Sequence, residues 1–168
     1  YLWVTRLVQK FAPDAPLAYH LKGWSDALPQ ELAENAALYL YQSGHNPAYQ
    51  YTARTLAESF RTRLPQKPVL NSEPCYEQMG YSRLGYGRHR REDCRRILWT
   101  SLLSGACAGI TYGAHGVWNW YKPNMPENPV SGEGFLQAPL CTNALALPGA
   151  EDFAFARQLC EDWGRWDF

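Results

Sequence analysis

Short apolar runs that end in polar side chains recur four times along the chain, with helix-like or loop segments between them. Antiparallel hairpins need only tight turns between strands, so these long connections favour parallel pairing. In barrels of parallel strands, the side chains at the C-terminal strand ends form the active-site rim. The sequence therefore predicts the α/β class, with parallel (β/α) units that form the second half, strands 5 to 8, of a (β/α)₈ (TIM) barrel. The predicted strands are residues 17–20, 38–42, 69–73 and 110–112.

Four segments carry apolar residues at the three- and four-residue spacing of an amphipathic helix. In the first of them, Val4, Leu7 and Phe11 share one face, and Pro13 ends the pattern. A doubly wound sheet is the competing architecture. It is disfavoured because no Gly-x-Gly-x-x-Gly follows the first strand and because polar residues end every strand. The predicted helices are residues 2–11, 49–63, 92–106 and 150–163.

The charge balance gives no reason to expect a polyanionic partner. The 168 residues include 16 basic and 16 acidic side chains, so no net field draws nucleic acid to the chain. One basic cluster, residues 88–96, is interrupted by Glu92 and Asp93 and is interpreted as a solvated helix face. The sequence also contains no membrane-spanning pattern. We therefore predict neither nucleic acid nor a membrane as a partner.

The five cysteines are odd in number, widely spaced and without a Cys-x-x-Cys pair. Neither a disulfide framework nor a thiolate zinc site is predicted. Cys94, Cys107 and Cys160 fall in helix-like stretches and are predicted to be small buried apolar residues. This cysteine usage favours a reducing compartment, the cytoplasm.

Glu73 is predicted to be the chemical centre. It ends a short apolar strand that Pro74 stops, so it stands at the C-terminal strand end where barrel enzymes hold their catalytic groups. Strand alternation places Val69, Asn71 and Glu73 on one face, which is interpreted as the inward face of the barrel. Hydrolysis of a glycosidic bond needs two flanking carboxylates, and Glu73 fits the nucleophile or base. The alternative is a structural pairing of Glu73 with an arginine.

Three neighbours of Glu73 have open roles. Glu77 lies beyond Pro74, where its position is less fixed, so a substrate hydroxyl contact or a salt bridge is as plausible as catalysis. Tyr76 either donates its hydroxyl to the Glu73 carboxylate or packs. Asn71 is interpreted as a group that orients the site from below.

Histidines and a glutamine follow the predicted strand ends. Three histidines and a glutamate at one barrel mouth are able to bind a divalent metal, but hydrogen bonds to a hydroxyl-rich substrate and tuning of Glu73 are favoured. No cofactor and no metal are predicted. The residues are His20, Gln42, His45 and His115, with Tyr112 at the end of the last strand.

The chain is rich in aromatic residues, with seven tryptophans and eleven tyrosines. Trp24, Trp118 and Trp120 stand in predicted rim loops, where flat rings suit the apolar faces of sugars. The other tryptophans, Trp3, Trp99, Trp163 and Trp166, are predicted to pack in helices.

Four segments, in this order, resemble the apiosidase-like glycoside hydrolase family, a TIM-barrel domain long catalogued as a domain of unknown function. The resemblance extends from about residue 17 to residue 163. The segments are Tyr-His at 19–20, Tyr-Gln-Ser-Gly-His at 41–45, Asn-Ser-Glu-Pro-Cys-Tyr-Glu at 71–77 and Thr-Tyr-Gly-Ala-His-Gly-Val-Trp-Asn-Trp at 111–120.

The resemblance implies a retaining glycosidase with its nucleophile at the end of strand seven and its acid/base carboxylate at the end of strand four. Glu73 matches the nucleophile, and the acid/base has no counterpart here. The chain starts at Tyr1 without a methionine, so we expect residues 1–168 to be a single partial domain. The missing N-terminal half-barrel is then supplied by upstream sequence or a second chain, and the fragment alone is expected to be inactive. The alternatives are a non-catalytic carbohydrate-binding barrel and a metal-dependent hydrolase.

Overall fold

A small parallel sheet with helices packed beside it organises the chain in the computed structural model, which describes residues 1–82, 87–125 and 136–163. Trp166, one of the tryptophans predicted to pack in helices, lies outside the described residues. The elements are α1 Leu2–Phe11, α2 Gln30–Asn35, β1 Tyr39–Tyr41, α3 Thr52–Arg61, β2 Val69–Asn71, α4 Arg91–Leu103, β3 Gly109–Ile110, α5 Cys141–Ala144 and α6 Gly149–Trp163.

The three strands pair in the order β1-β2-β3, and both pairings are parallel. Tyr39 lies beside Val69, and Leu70 lies beside Gly109. Helix α3 connects the first two strands and α4 connects the last two, which is the crossover that parallel pairing requires. The predicted α/β class with parallel strands is confirmed.

The predicted strand at residues 17–20 is wrong, because the backbone there does not join the sheet. It makes a backbone contact in which the N–H of Ala37 donates to the carbonyl of Leu17 at 2.7 Å. One such bond holds the segment near the start of β1 but does not make a ladder. The last strand is also shorter than predicted and ends at Ile110.

The buried faces of the strands look toward the helices. Tyr39, Tyr41 and Val69 pack with the apolar side of α3 in one core cluster that includes Phe60. Leu70, on the opposite face of β2, is half-buried. The prediction that Val69 packs the barrel interior is therefore wrong. Both faces of a barrel strand are apolar, so the sequence pattern predicts which side chains share a face but not which face points toward the helices.

The four predicted helices all form, and α1 has the predicted bounds. Their packing differs from the prediction at several side chains. Trp3 and Trp163 are exposed rather than packed in helices, and Trp99 is half-buried. Of the three cysteines that were predicted to be buried in helices, Cys94 is buried, whereas Cys107 is exposed and Cys160 is half-buried.

Helix α1 exposes a row of large apolar side chains, named here the α1 stripe: Trp3, Val4, Leu7 and Phe11. The one buried residue of this helix is Thr5, whose hydroxyl lies 2.8 Å from that of Tyr19. The face that the sequence pattern marks as apolar is therefore uncovered within the described structure.

The basic cluster lies at the start of α4 and contacts α6. Arg91 donates to Asp152 through two nitrogens at 2.8 and 3.0 Å, and Arg95 pairs with the same carboxylate at 3.0 Å. These ion pairs lower the pKa of Asp152. Within the described residues, no helix is both long enough and apolar enough to cross a membrane.

Candidate active site

Glu73 stands two residues beyond the end of β2, and its carboxylate lies between two imidazoles. Oε2 is 3.1 Å from Nε2 of His20, and Oε1 is 3.0 Å from Nε2 of His45. The two histidines come from different loops, one before α2 and one after β1. The backbone of Glu73 is held separately, since the N–H of Gly44 donates to its carbonyl at 2.9 Å. Three distant chain segments therefore meet at one carboxylate.

The surroundings favour the ionised form of Glu73. The hydrogen bond from His45 lowers the pKa of the carboxyl, burial opposes this lowering, and the charges of His45 and His20 add to it. The Glu73 side chain is 27% exposed, while His45 is 8% and His20 51% exposed. The carboxylate is thus fixed from the protein side by His45 and reaches solvent beside His20.

Gln42 and Tyr76 complete the surroundings of these histidines. The side-chain amide of Gln42 contacts Nε2 of His20 and donates to the carbonyl of Leu21 at 2.7 Å. The ring of Tyr76 meets that of His45 edge-on, with centroids 4.6 Å apart. Burial and the negative charge of Glu73 raise the pKa of Tyr76 to about 12. Of the two predicted roles, Tyr76 takes the packing role.

Gly113 makes room for the Tyr76 ring. A Cβ at residue 113 would lie 2.0 Å from Cδ1 of Tyr76, so any side chain there would displace the ring that contacts His45. A glycine in the segment after β3 therefore helps to set the position of a histidine on the other side of β2.

His89 is a supporting residue that sequence reasoning missed. Its Nε2 donates to the carbonyl of His45 at 2.7 Å, and the side chain is fully buried. Because it is flanked by Arg88 and Arg90, the sequence interpretation placed it on a solvated helix face. No local signal separates a buried histidine from an exposed one inside a charged run.

Glu77 is buried and fixed, contrary to the prediction of a loosely placed loop residue. Its Oε2 accepts the hydroxyl of Tyr112 at 2.7 Å and the N–H of Gly149, the first residue of α6, at 2.8 Å. Tyr112 also contacts Phe153 of α6, with ring centroids 5.0 Å apart. Both side chains are therefore used in joining β3 to α6. The predicted substrate contacts of Glu77 and Tyr112 do not fit this geometry.

Asn71 and His115 are likewise held inside the protein. Asn71 donates to the hydroxyl oxygens of Ser43 and Ser101, at 2.9 and 3.0 Å. Nδ1 of His115 lies 3.2 Å from the carbonyl of Gln78, and burial lowers the pKa of the imidazole. These residues fix the loops around the strand ends.

Two tryptophans are exposed in the loop after β3. Trp118 is 44% and Trp120 53% exposed, and the ring of Trp118 lies nearly parallel to that of His115 at a centroid distance of 6.3 Å. Trp24, the third predicted rim tryptophan, lies across Gly44 and donates its indole N–H to the carbonyl of Ser43 at 2.9 Å. Trp118 and Trp120 thus remain available to a ligand, whereas Trp24 braces the loop that carries His45.

The arrangement of the candidate ligands does not favour the metal alternative. In the ranges 1–82, 87–125 and 136–163, no group of three or more His, Cys, Asp or Glu side chains is arranged to hold a metal ion. The nitrogens that His20 and His45 direct at this site bond the Glu73 carboxylate instead.

Comparison with known proteins gives a family and a fold. The model of the family described as "Apiosidase-like, catalytic domain" matches residues 2–167, which confirms the resemblance that the sequence motifs indicated. No curated protein matches the chain.

Two similar solved structures are glycoside hydrolases. One, titled "Glycoside hydrolase", has a TM-score of 0.78 at 20% identity over 93% of this chain and 37% of its own. The other, a glycoside hydrolase family 5 structure from Bacteroides vulgatus, has a TM-score of 0.77 at 20% identity over 93% of this chain and 35% of its own. At this identity the likeness shows the fold. The chain spans a little over a third of the length of each of these proteins.

Proposed function

Because the chain belongs to the apiosidase-like catalytic domain family, we propose that it forms part of a glycoside hydrolase that cleaves glycosidic bonds by a retaining mechanism with two carboxylates. The substrate is an oligosaccharide or a plant-derived glycoside. The observation that carries the proposal is the Glu73 carboxylate, ionised and oriented between His20 and His45 at a strand end.

In this mechanism Glu73 is the nucleophile. A nucleophilic carboxylate must be ionised and must point at the carbon that it attacks. The hydrogen bond from His45 favours the ionised form of Glu73 and fixes the orientation of its side chain. Glu73 attacks the anomeric carbon while an acid protonates the leaving oxygen. Water then attacks the glycosyl-enzyme, with the acid's conjugate base taking its proton, and Glu73 is released.

The acid/base carboxylate is assigned to the half of the barrel that this chain lacks. This chain matches only 37% and 35% of the length of the two solved glycoside hydrolases, which supports this assignment. We accordingly propose that residues 1–168 are a single partial domain from the C-terminal half of the barrel, to which the described residues contribute β1, β2 and β3. Upstream sequence or a second chain supplies the rest.

We propose that the sugar is held by side chains at Glu73 and by the exposed tryptophans of the loop after β3. The exposed edge of His20 and the Gln42 amide suit hydroxyls beside the reacting carbon, and the Trp118 and Trp120 rings suit the apolar face of a sugar. His45 and Tyr76 form the wall behind the carboxylate, and His115 supports the Trp118 ring.

The test uses Glu73→Gln in the complete protein. We expect turnover to fall by at least about 10³-fold while folding and sugar binding persist, because the amide keeps the shape but cannot attack. Glu58→Gln, which alters a surface ion pair with Arg54, is the matched control. A panel of aryl 2-deoxy-2-fluoro glycosides should leave a sugar covalently attached to the peptide that contains Glu73. Wild-type rates in Glu73→Gln would remove the assignment.

A second candidate is a non-catalytic carbohydrate-binding barrel. The exposure of Trp118 and Trp120 favours it, since aromatic platforms bind sugars without any chemistry. The complete protein distinguishes the two functions. Sugar binding that is lost in Trp118→Ala, with no turnover of any bound glycoside, supports the binding protein, and product release supports the hydrolase.

A further inference from the structure

Two cysteines that the proposed mechanism does not use lie side by side directly behind the Glu73 segment. The sulfur of Cys75 is 4.0 Å from that of Cys94, and both residues are almost completely buried. Cys75 follows Glu73 by two positions, whereas Cys94 is in the first turn of α4. Cys94 Sγ is also 3.5 Å from the carbonyl of Cys75. The pair therefore connects the candidate nucleophile segment to a helix.

The third member of the cluster is His89. Since its Nε2–H donates to the carbonyl of His45, the other ring nitrogen of the neutral imidazole is an acceptor. The Cys75 thiol lies near enough to this imidazole for each group to shift the pKa of the other. A thiol beside an imidazole acceptor is the arrangement that generates a reactive thiolate.

The two thiols are unequal. The hydrogen bond of Cys94 lowers the pKa of Cys75, burial opposes this lowering, and His89 adds to it. The pKa of Cys94 is raised by the same hydrogen bond and by burial. Cys75 is therefore the attacking sulfur and Cys94 the sulfur that remains protonated until the second step.

We propose that Cys75 and Cys94 are an oxidisable dithiol, closed to a disulfide by hydroperoxides. The site's ligand class is a small peroxide, which is near the size of water and suits a buried site. A disulfide requires a sulfur separation of about 2.05 Å, so the sulfurs must approach by roughly 2 Å from their present positions. The bond would tie the segment that begins at Glu73 to α4.

The chemistry balances in two steps. The Cys75 thiolate attacks one oxygen of hydrogen peroxide, the O–O bond breaks, and the departing hydroxide takes a proton to become water. Cys75 is then a sulfenic acid. Cys94 attacks that sulfur, the S–S bond forms as the S–O bond breaks, and the Cys94 proton leaves with the hydroxyl group as a second water. Peroxide is reduced and the two thiols are oxidised.

The experiment exposes the reduced, purified protein to hydrogen peroxide and then alkylates the remaining thiols under denaturing conditions. In the complete protein, peptide mapping should find the Cys75 and Cys94 peptides joined, with neither of these two thiols alkylated. Cys107→Ser, which removes an exposed thiol, should not change the joining. His89→Gln should slow it by about tenfold, because the imidazole acceptor is lost.

Two further results decide the proposal. In Cys94→Ser, dimedone should trap Cys75 as the sulfenic acid, because no second thiol resolves it. The proposal would be overturned if Cys75 and Cys94 were recovered as free thiols after Cys107 has been oxidised. It would also be overturned if the Cys75 and Cys94 peptides were joined only in urea. Both readouts are masses of peptides, so they stand or fall independently of any glycosidase activity.

Discussion

At the scale of the residue, the candidate site depends on what surrounds one carboxylate. Glu73 is half-buried, which alone would raise its pKa and favour the neutral acid. The hydrogen bond of His45 reverses that direction. Behind His45, its own carbonyl is held by the buried His89 at 2.7 Å. His45 and His20 both contact the Glu73 carboxylate, and His89 supports this arrangement by holding the backbone of His45.

This arrangement predicts a pH dependence. Because the pKa of Glu73 is lowered below its ordinary value of 4.5, the acid limb that Glu73 contributes to kcat/KM should lie below pH 4.5. Replacement of His45 by Gln removes the imidazole charge and leaves the effect of burial, so the limb should move to higher pH. The measurement is the pH profile of kcat/KM for the complete wild-type protein and for its His45→Gln variant.

The control for this profile is Glu58→Gln, which alters an exposed ion pair with Arg54 and should leave the acid limb in place. A His45→Gln profile that coincides with the wild type would show that another group sets the limb. The lowered pKa of Glu73 also makes folding stability depend on pH. A carboxyl whose pKa is lowered in the folded state stabilises the fold above its unfolded pKa, and this contribution is lost as pH falls through the folded value.

Glu73 was predicted from a local signal, and its catalytic role stays a prediction. An apolar strand, a carboxylate and a proline stand next to each other, and polar residues after the three other predicted strands were expected at the same rim. The roles of His89 and Glu77 were missed because they depend on contacts between residues far apart in sequence. Glu77 and Gly149 are hydrogen-bonded although they lie far apart in the sequence.

At the scale of the element, α6 is attached to the sheet through its first residue. The Glu77 carboxylate accepts the N–H of Gly149, so a buried anion meets the positive end of a 15-residue helix. Tyr112 donates to the same oxygen. A Cβ at residue 149 would lie 2.2 Å from that oxygen, so glycine is required by the closeness of the carboxylate.

We predict that Tyr112→Phe destabilises the complete protein by about 1–3 kcal/mol, because the buried Glu77 carboxylate loses one of its donors. Urea unfolding of the two proteins measures this difference. Tyr51→Phe, at an exposed tyrosine, is the matched control and should change stability by less than about 0.5 kcal/mol. Equal midpoints for Tyr112→Phe and the wild type would mean that the hydroxyl does not hold this junction.

Helices were more predictable than strands at this scale. The amphipathic spacing of α1, α3, α4 and α6 is long enough to be read without tertiary context, and the ends agree within a few residues. The strands have two or three residues each, so their pattern carries little information. The direction of Val69 and Asn71 depends on the helix layer, which is a property of the assembled sheet.

At the scale of the whole molecule, the described sheet has two parallel edges, β1 and β3, and the α1 stripe is uncovered. Unpaired edges and exposed apolar rows are surfaces that natural proteins cover. This chain matches only part of each solved glycoside hydrolase, which agrees with a second half-barrel that would cover these surfaces.

We therefore expect residues 1–168 alone to self-associate and, when co-expressed with the preceding half-barrel, to form a one-to-one unit. Light scattering after size exclusion measures both states. Trp3→Lys together with Phe11→Lys should weaken the self-association, since both side chains belong to the α1 stripe, whereas Tyr51→Lys should not. A monodisperse, cooperatively melting wild-type fragment would contradict the half-barrel assignment.

The anchoring of the main chain at residue 73 has a practical consequence. The carbonyl of Glu73 is held by the N–H of Gly44 at 2.9 Å, so the loop keeps its path without help from the carboxylate. The carboxylate that reacts and the backbone hydrogen bond that positions its loop are therefore independent of each other. In the proposed enzyme, alanine or glycine at this position would turn the scaffold from breaking sugar linkages toward building them from activated glycosyl fluorides.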